Sequence, residues 1–386
     1  MRVPRPALAL ALASALVLSA CSGDSEGADS EPAGADAATS TAGVGAESTE
    51  DGSTEGAGGA EDAAETTAPG QEQAATAAGE SQPSGVVSVE ESEQIASDVL
   101  TMAVRSTKRN GDKALGDIKR AYSGPDRRAH EVAEDLEDVT GRPPKVERHL
   151  GRNPLQPTVL AVSQDDEKYP QYILAQAVPE WAGSDVPELY LLVRPKEGAD
   201  FKIRWSAPML PGTEVGLFER RSTGSPVLRN RSQAKEALAQ RPTSVLNELA
   251  DYVGHPPSEG KVSIRTNGYA PEVRRNAREQ ASDISASADF MQTDELLPDA
   301  LHTLQLADGS AMSFAVMERT AHFHVRDGHT LVPPDTFAHL AGDDALGAEA
   351  TMTALVFVAV RVPAADEDRP PAVIAAREQV VAASGS

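Results

Sequence analysis

The stretch Thr351-Met352-Thr353-Ala354-Leu355-Val356-Phe357-Val358-Ala359-Val360-Arg361-Val362 carries apolar side chains on both of its alternating faces. Met352, Ala354, Val356, Val358 and Val360 fall on one face, and Leu355, Phe357 and Ala359 on the other. A strand with one wet face alternates apolar with polar residues, so this one is expected at the centre of a sheet and covered on both sides. Upstream, Thr158 to Val162, Gln171 to Val178, Glu188 to Arg194 and Phe201 to Ser206 are short runs rich in branched and aromatic residues. Turn residues at Asp165-Asp166 and at Lys196-Glu197-Gly198 separate them, which predicts an antiparallel meander. Ahead of the meander, Ile95, Val99, Met102 and Ala103 form one helical stripe, and Leu115, Ile118 and Tyr122 a second. After Ser123-Gly124-Pro125 a charged helical stretch runs from Asp126 to Asp138.

The pattern then restarts. Ser232 is expected to cap a helix through Gln240, and Pro242 to open another whose buried side is Val245, Leu246, Leu249 and Val253. Pro143-Pro144 and Pro256-Pro257 follow helices in comparable places, at an offset of 113 residues. The same offset carries Tyr190 to Ile203 onto Thr303 to Val316, a hairpin around Asp308-Gly309. Ala321 to Val332, bent at Asp327-Gly328, and Val373 to Ala383 add further extended segments. The expected fold class is α+β, two helix-plus-antiparallel-meander halves at residues 86–225 and 226–386, with the offset pointing to a tandem duplication. Each half is similar in plan to a cystatin-like fold, an analogy that says little about chemistry.

The amino end reads as an address. Arg2 and Arg5 precede Ala7 to Leu18, twelve residues of Ala, Leu, Val and Ser only. That run is too short to span a bilayer, which takes about 20 apolar residues, and fits the apolar region of a signal peptide. Leu18-Ser19-Ala20-Cys21 follows, and Cys21 is the only cysteine of 386 residues. These residues resemble the lipobox of bacterial lipoproteins. From Ser22 to Gly85 the chain is Ala, Gly, Ser, Thr, Glu, Asp, Gln and Pro with Val44 alone as a larger apolar side chain. It holds fourteen acidic residues and no basic one, so with Arg2 and Arg5 counted, residues 86–386 carry -12 of the total -24. Such a segment cannot build a core and spans roughly 45 Å as a flexible coil. Together with Asp308-Gly309-Ser310-Ala311-Met312-Ser313-Phe314-Ala315 in the tail, the chain is similar to a group of actinobacterial lipoproteins with an exported C-terminal domain. The resemblance implies that residues 1–20 are removed, that Cys21 is diacylated, and that 21–85 is a disordered acidic tether on the outer face of the membrane. Two acyl chains suffice for stable anchoring where one does not.

Composition narrows the chemistry. A chain this acidic repels phosphate backbones, so no nucleic-acid partner is expected. One cysteine excludes an internal disulfide and a cysteine-built zinc or iron–sulfur site. His322 and His324 lie two apart in an extended segment and so share a face, with His302, His329 and His339 near in sequence. They are the weak candidates for a metal site; Glu318 falls on the same face, so an exposed polar stripe is the simpler reading, and no bound metal and no cofactor are expected. Ser232-Gln233-Ala234-Lys235 matches Ser-x-x-Lys of penicillin-recognising enzymes but lacks the partner motifs, and reads as a helix start. Asp165-Asp166 and Asp343-Asp344 read as solvated turns, and Trp205 as core, with Trp181 either core or ligand platform. The functional expectation is a noncatalytic envelope module whose partners are the membrane, through lipid on Cys21, and an envelope protein or small ligand. The alternative is an envelope hydrolase using metal on the His322/His324 hairpin. Cys21→Ser is predicted to move the protein out of the membrane fraction. Unchanged retention, with no lipid-bearing peptide by mass spectrometry, would overturn the assignment.

Overall fold

The computed structural model describes residues 84–140, 156–178, 186–258, 262–342 and 345–386, all within one compact unit. The signal segment, Cys21, the tether up to residue 83, Trp181 and Asp343-Asp344 lie outside the described residues. The first half runs α1 (Val89–Thr107), α2 (Asp112–Ala121), α3 (Gly124–Asp135), α4 (Glu137–Thr140), then β1 (Thr158–Val162), β2 (Gln171–Ala177), β3 (Glu188–Arg194) and β4 (Lys202–Pro208). These strands make an antiparallel sheet in the order β1-β2-β3-β4. The second half runs α5 (Arg231–Ala237), α6 (Pro242–Val253), α7 (Tyr269–Ile284), β5 (Ala288–Leu296), β6 (His302–Gln305), β7 (Ala311–Val325), α8 (Asp335–Ala341), β8 (Glu349–Val362) and β9 (Ala372–Gly385). Its sheet has the order β5-β7-β8-β9, again antiparallel. β5 pairs with Met317 to Val325 of β7 and β6 with Ala311 to Phe314, so both occupy one edge, split by a 3-10 turn at Pro298–Ala300. The fold is α+β.

Side-chain alternation turns the two sheets into four layers. Ile173, Ala175, Tyr190, Leu192 and Ile203 pack on Ala96, Val99, Leu100 and Ile118 of α1 and α2. The opposite face of the same sheet, with Tyr172, Leu174, Leu189, Leu191 and Trp205, packs on Phe314, Val316, Leu355, Phe357 and Ile374 of the second sheet. That sheet's outer face, with Ala315, Met317, Val356, Val358 and Val360, packs on Val245, Leu246, Leu249 and Val253 of α6 and Ala270 and Val273 of α7. β8 is therefore covered on both sides, as its composition requires. Trp205 is 1 % exposed, meets Phe314 edge-on at 5.1 Å between ring centroids, and donates its indole N–H to the Ala315 carbonyl at 3.0 Å.

Two local expectations need correction. Asn230, not Ser232, caps α5: its side chain accepts from the Ser232 and Gln233 amides at 3.0 and 2.9 Å, and the helix ends at Ala237 instead of Gln240. Asn is as good a cap as Ser, and capping one residue pair earlier places Ala234 inward. Ala321 to Val332 is not a separate segment, because β7 continues unbroken to Val325 while paired to β8 along its length, and Leu331 makes only a bridge to Leu346. The 113-residue offset does carry the β3–β4 hairpin onto the β6–β7 hairpin, but the first closes its sheet and the second opens its own. Because the middle core layer draws on both halves, Phe357→Ala is predicted to lose about 3–5 kcal/mol. Urea unfolding followed by tryptophan fluorescence and by far-UV circular dichroism should give one coincident transition; two transitions would show that the halves fold separately.

Candidate functional site

After β4 the chain reads Met209-Leu210-Pro211-Gly212-Thr213-Glu214-Val215-Gly216-Leu217-Phe218, apolar enough for a strand but broken by a proline and two glycines. It crosses instead as a pinned loop. The Met209 and Leu210 amides donate to Pro187 and Ile374, the Thr213 hydroxyl reaches the Leu210 and Ile374 carbonyls at 2.7 and 2.8 Å, and the Leu217 carbonyl accepts from Ala307. The loop passes close to the second half at Gly216, where a Cβ would stand 3.0 Å from the Leu306 side chain. Under this loop lies a groove of about 760 Å³, lined by Leu160, Gln176, Val186, Pro187, Met209, Glu214, Val215 and Phe218 among others, with Leu217 83 % exposed beside it. Sequence reading passed over the loop; its signal was an apolar run with Pro-Gly between the two halves.

The histidines separate. His322 and His324 do share a face of β7, where His322 Nδ1 lies 3.2 Å from the Thr351 hydroxyl and His324 Nδ1 2.5 Å from a Glu349 oxygen. The hydrogen bond to Glu349 raises the pKa of His324. Glu318 lies on that face too, 3.8 Å from Arg128. His302, however, pairs with Phe314, ten residues along β7 from His324 and so about 34 Å away at the strand rise. It is 8 % exposed beside the Tyr172 hydroxyl at 3.3 Å, and burial lowers its pKa to about 3. His329 is exposed in the turn after β7, and His339 Nε2 lies 3.2 Å from Asp135. Among the described residues no three His, Cys, Asp or Glu side chains are grouped to hold a metal. Ser232 and Lys235 are exposed on α5. Asp166 is held by Arg229 at 2.9 Å; burial pushes its pKa up, but the hydrogen bond and charge of Arg229 together with Lys168 outweigh that and leave it lowered.

Two ionic clusters had no local sequence signature beyond a charged residue in an apolar strand. In one, Arg319 of β7 meets Asp294 of β5 and Glu378 of β9 beneath Tyr269 of α7. In the other, Arg377 of β9 meets Asp126 of α3, lies over the Phe357 ring at 4.3 Å and donates to the Ser206 carbonyl at 3.1 Å. Glu188, bonded to the Tyr190 hydroxyl at 2.8 Å, acts on the same group, and burial raises its pKa. His130 stacks on Tyr122 at 3.9 Å, and burial lowers its pKa to about 4. No family model matches this chain, and no curated protein or solved structure is detectably similar to it.

His302 and His130 both bind protons more weakly folded than unfolded, so the stability they carry is full above the unfolded value near 6.5 and is lost as the pH falls toward about 3 and 4. His302→Leu is predicted to flatten the fall in urea midpoint on that acid side. An unchanged slope would mean that His302 is not held neutral by its surroundings.

Proposed function

We propose that the chain is an exported module, held on the outer face of the cell membrane by lipid on Cys21, which binds an envelope protein or small ligand without transforming it. Leu18-Ser19-Ala20-Cys21 after a positive and apolar start supports the anchor, and the acidic segment that follows supports a tether. Among the described residues no helix is long and apolar enough to cross a membrane. The groove under residues 209–218 is the observation that carries the binding reading. Its volume of about 760 Å³ lies in the ordinary range for small-molecule sites, and its mainly apolar lining with a few polar groups is what such sites present. The described lining offers no nucleophile beside a base; the one hydroxyl, Thr213, is bonded to two carbonyls. The hydrolase alternative rests on His322 and His324 alone. Helices ahead of an antiparallel meander in each half support reading the halves as structural copies.

Nile red, an uncharged apolar probe, should bind saturably at one site per chain, and Val215→Trp, which fills the groove, should abolish that binding. Equal binding by the Val215→Trp chain would remove the groove from this reading.

A further inference from the structure

Arg319 sits on the face of β7 that also carries Ala315 and Met317, the face covered by α6 and α7. Asp294 is its direct cross-strand partner on β5, and Arg319 Nε donates to both of its oxygens at 3.1 Å. Glu378 reaches the guanidinium from the other side, two strands away on β9, through Nη1. The side chains of Arg319, Asp294 and Glu378 are 4, 0 and 4 % exposed. From α7 the facing titratable group is the hydroxyl of Tyr269, which is 6 % exposed. From α6 the buried side chains are the apolar Val245, Leu246, Leu249 and Val253, and β8, between β7 and β9, presents Ala354 and Val356.

The charges here do not balance. A guanidinium keeps its proton, so two ionised carboxylates would leave one unit of negative charge sealed away from water. Carboxylates that share such a site cannot both ionise freely, and the proton belongs to the pair. The contacts say where it resides. Both oxygens of Asp294 are engaged by Arg319, whereas Oε1 of Glu378 has no hydrogen-bond partner. Burial raises both carboxyl groups, with Arg319 pulling each partly back. In the Arg377 cluster the arginine side chain is 20 % exposed, so that cluster is less completely closed to water than the Arg319 one.

We propose that Arg319, Asp294 and Glu378 form a buried proton site: one proton is held between the carboxylates at neutral pH, chiefly on Glu378, and its release in alkali destabilises the fold. The proton leaves to solvent base and the site gains one negative charge; no other bond changes. Since the folded groups hold the proton more tightly than the unfolded chain, this stability is present at acid pH and is lost as the pH rises through the folded value. That is opposite in sign to the contribution of His302 and His130.

The test uses the full chain carrying Cys21→Ser, with urea midpoints measured between about pH 6 and 9. Glu378→Gln keeps the side-chain length and an oxygen for Arg319 while fixing the neutral form. It should lose the part of the alkaline fall that the site causes and be more stable than its parent at the alkaline end. An unchanged slope, or lower stability at the alkaline end, overturns the proposal. Carbon-13 NMR of the Glu378 carboxyl in the unsubstituted site gives a second reading independent of any variant's folding. A resonance that titrates in the usual carboxylate range overturns it, and one that stays protonated past that range supports it.

Discussion

The contact of Trp205 with Phe314, closed by the indole N–H bonding to the Ala315 carbonyl, is what every other part of the structure is placed around. A buried indole requires an acceptor, and here the acceptor belongs to the opposite sheet, so β4 is fixed against β7 in direction as well as in distance. Once the sheets meet this way, the second face of each is left apolar and must be covered. The helices α1 and α2 cover one and α6 and α7 the other. β4 and β9 approach at one corner, where Met209 bridges Ala375, and α3 lies along that corner with Ala129 in the shared core.

Unequal strand lengths explain where the candidate sites fall. β7 and β8 have 15 and 14 residues, against seven or fewer in β1 to β4. The inner layer of core uses β7 from Met312 to Val316 and β8 from Leu355 to Ala359, so the stretch holding Thr320, His322, His324, Glu349 and Thr351 extends beyond the first sheet. That overhang leaves His324 and Glu349 exposed and Thr320, His322 and Thr351 half-buried. Beside the first sheet, residues 209–218 cover Leu160 and Gln176 only partly, and the groove is what remains.

Sequence periodicity was most informative where one element decides its own environment. β1 and β3 span the same residues that the sequence pattern marks, Thr158–Val162 and Glu188–Arg194, Pro242 opens α6, and β8 is covered on both faces because neither face has enough polar residues to meet water. It failed where a distant partner decides. Nothing near Thr320 announces that β7 runs on, because the pairing with β8 that holds it extended is set by the tertiary fold. Arg319 and Asp294 are 25 residues apart, and Arg377 and Asp126 are 251 apart, distances over which a local pattern carries no information. The metal question turned on register: His302 and His324 are near in sequence yet belong to opposite ends of one strand.

β9 shows a further consequence of the ionic clusters. Its sequence from Ala372 to Gly385 is mostly alanine and valine, small side chains that fit either face of the sheet almost equally well, so apolar patterning alone specifies its alignment weakly. Arg377 and Glu378 are neighbours pointing to opposite faces, one toward Asp126 and Glu188, the other toward Arg319. A slip of one residue would turn the arginine toward another arginine and the glutamate toward two carboxylates, in sites with little water to screen them. Adjacent opposite charges thus act as a two-tooth key: an otherwise slippery strand can enter the sheet in one alignment only.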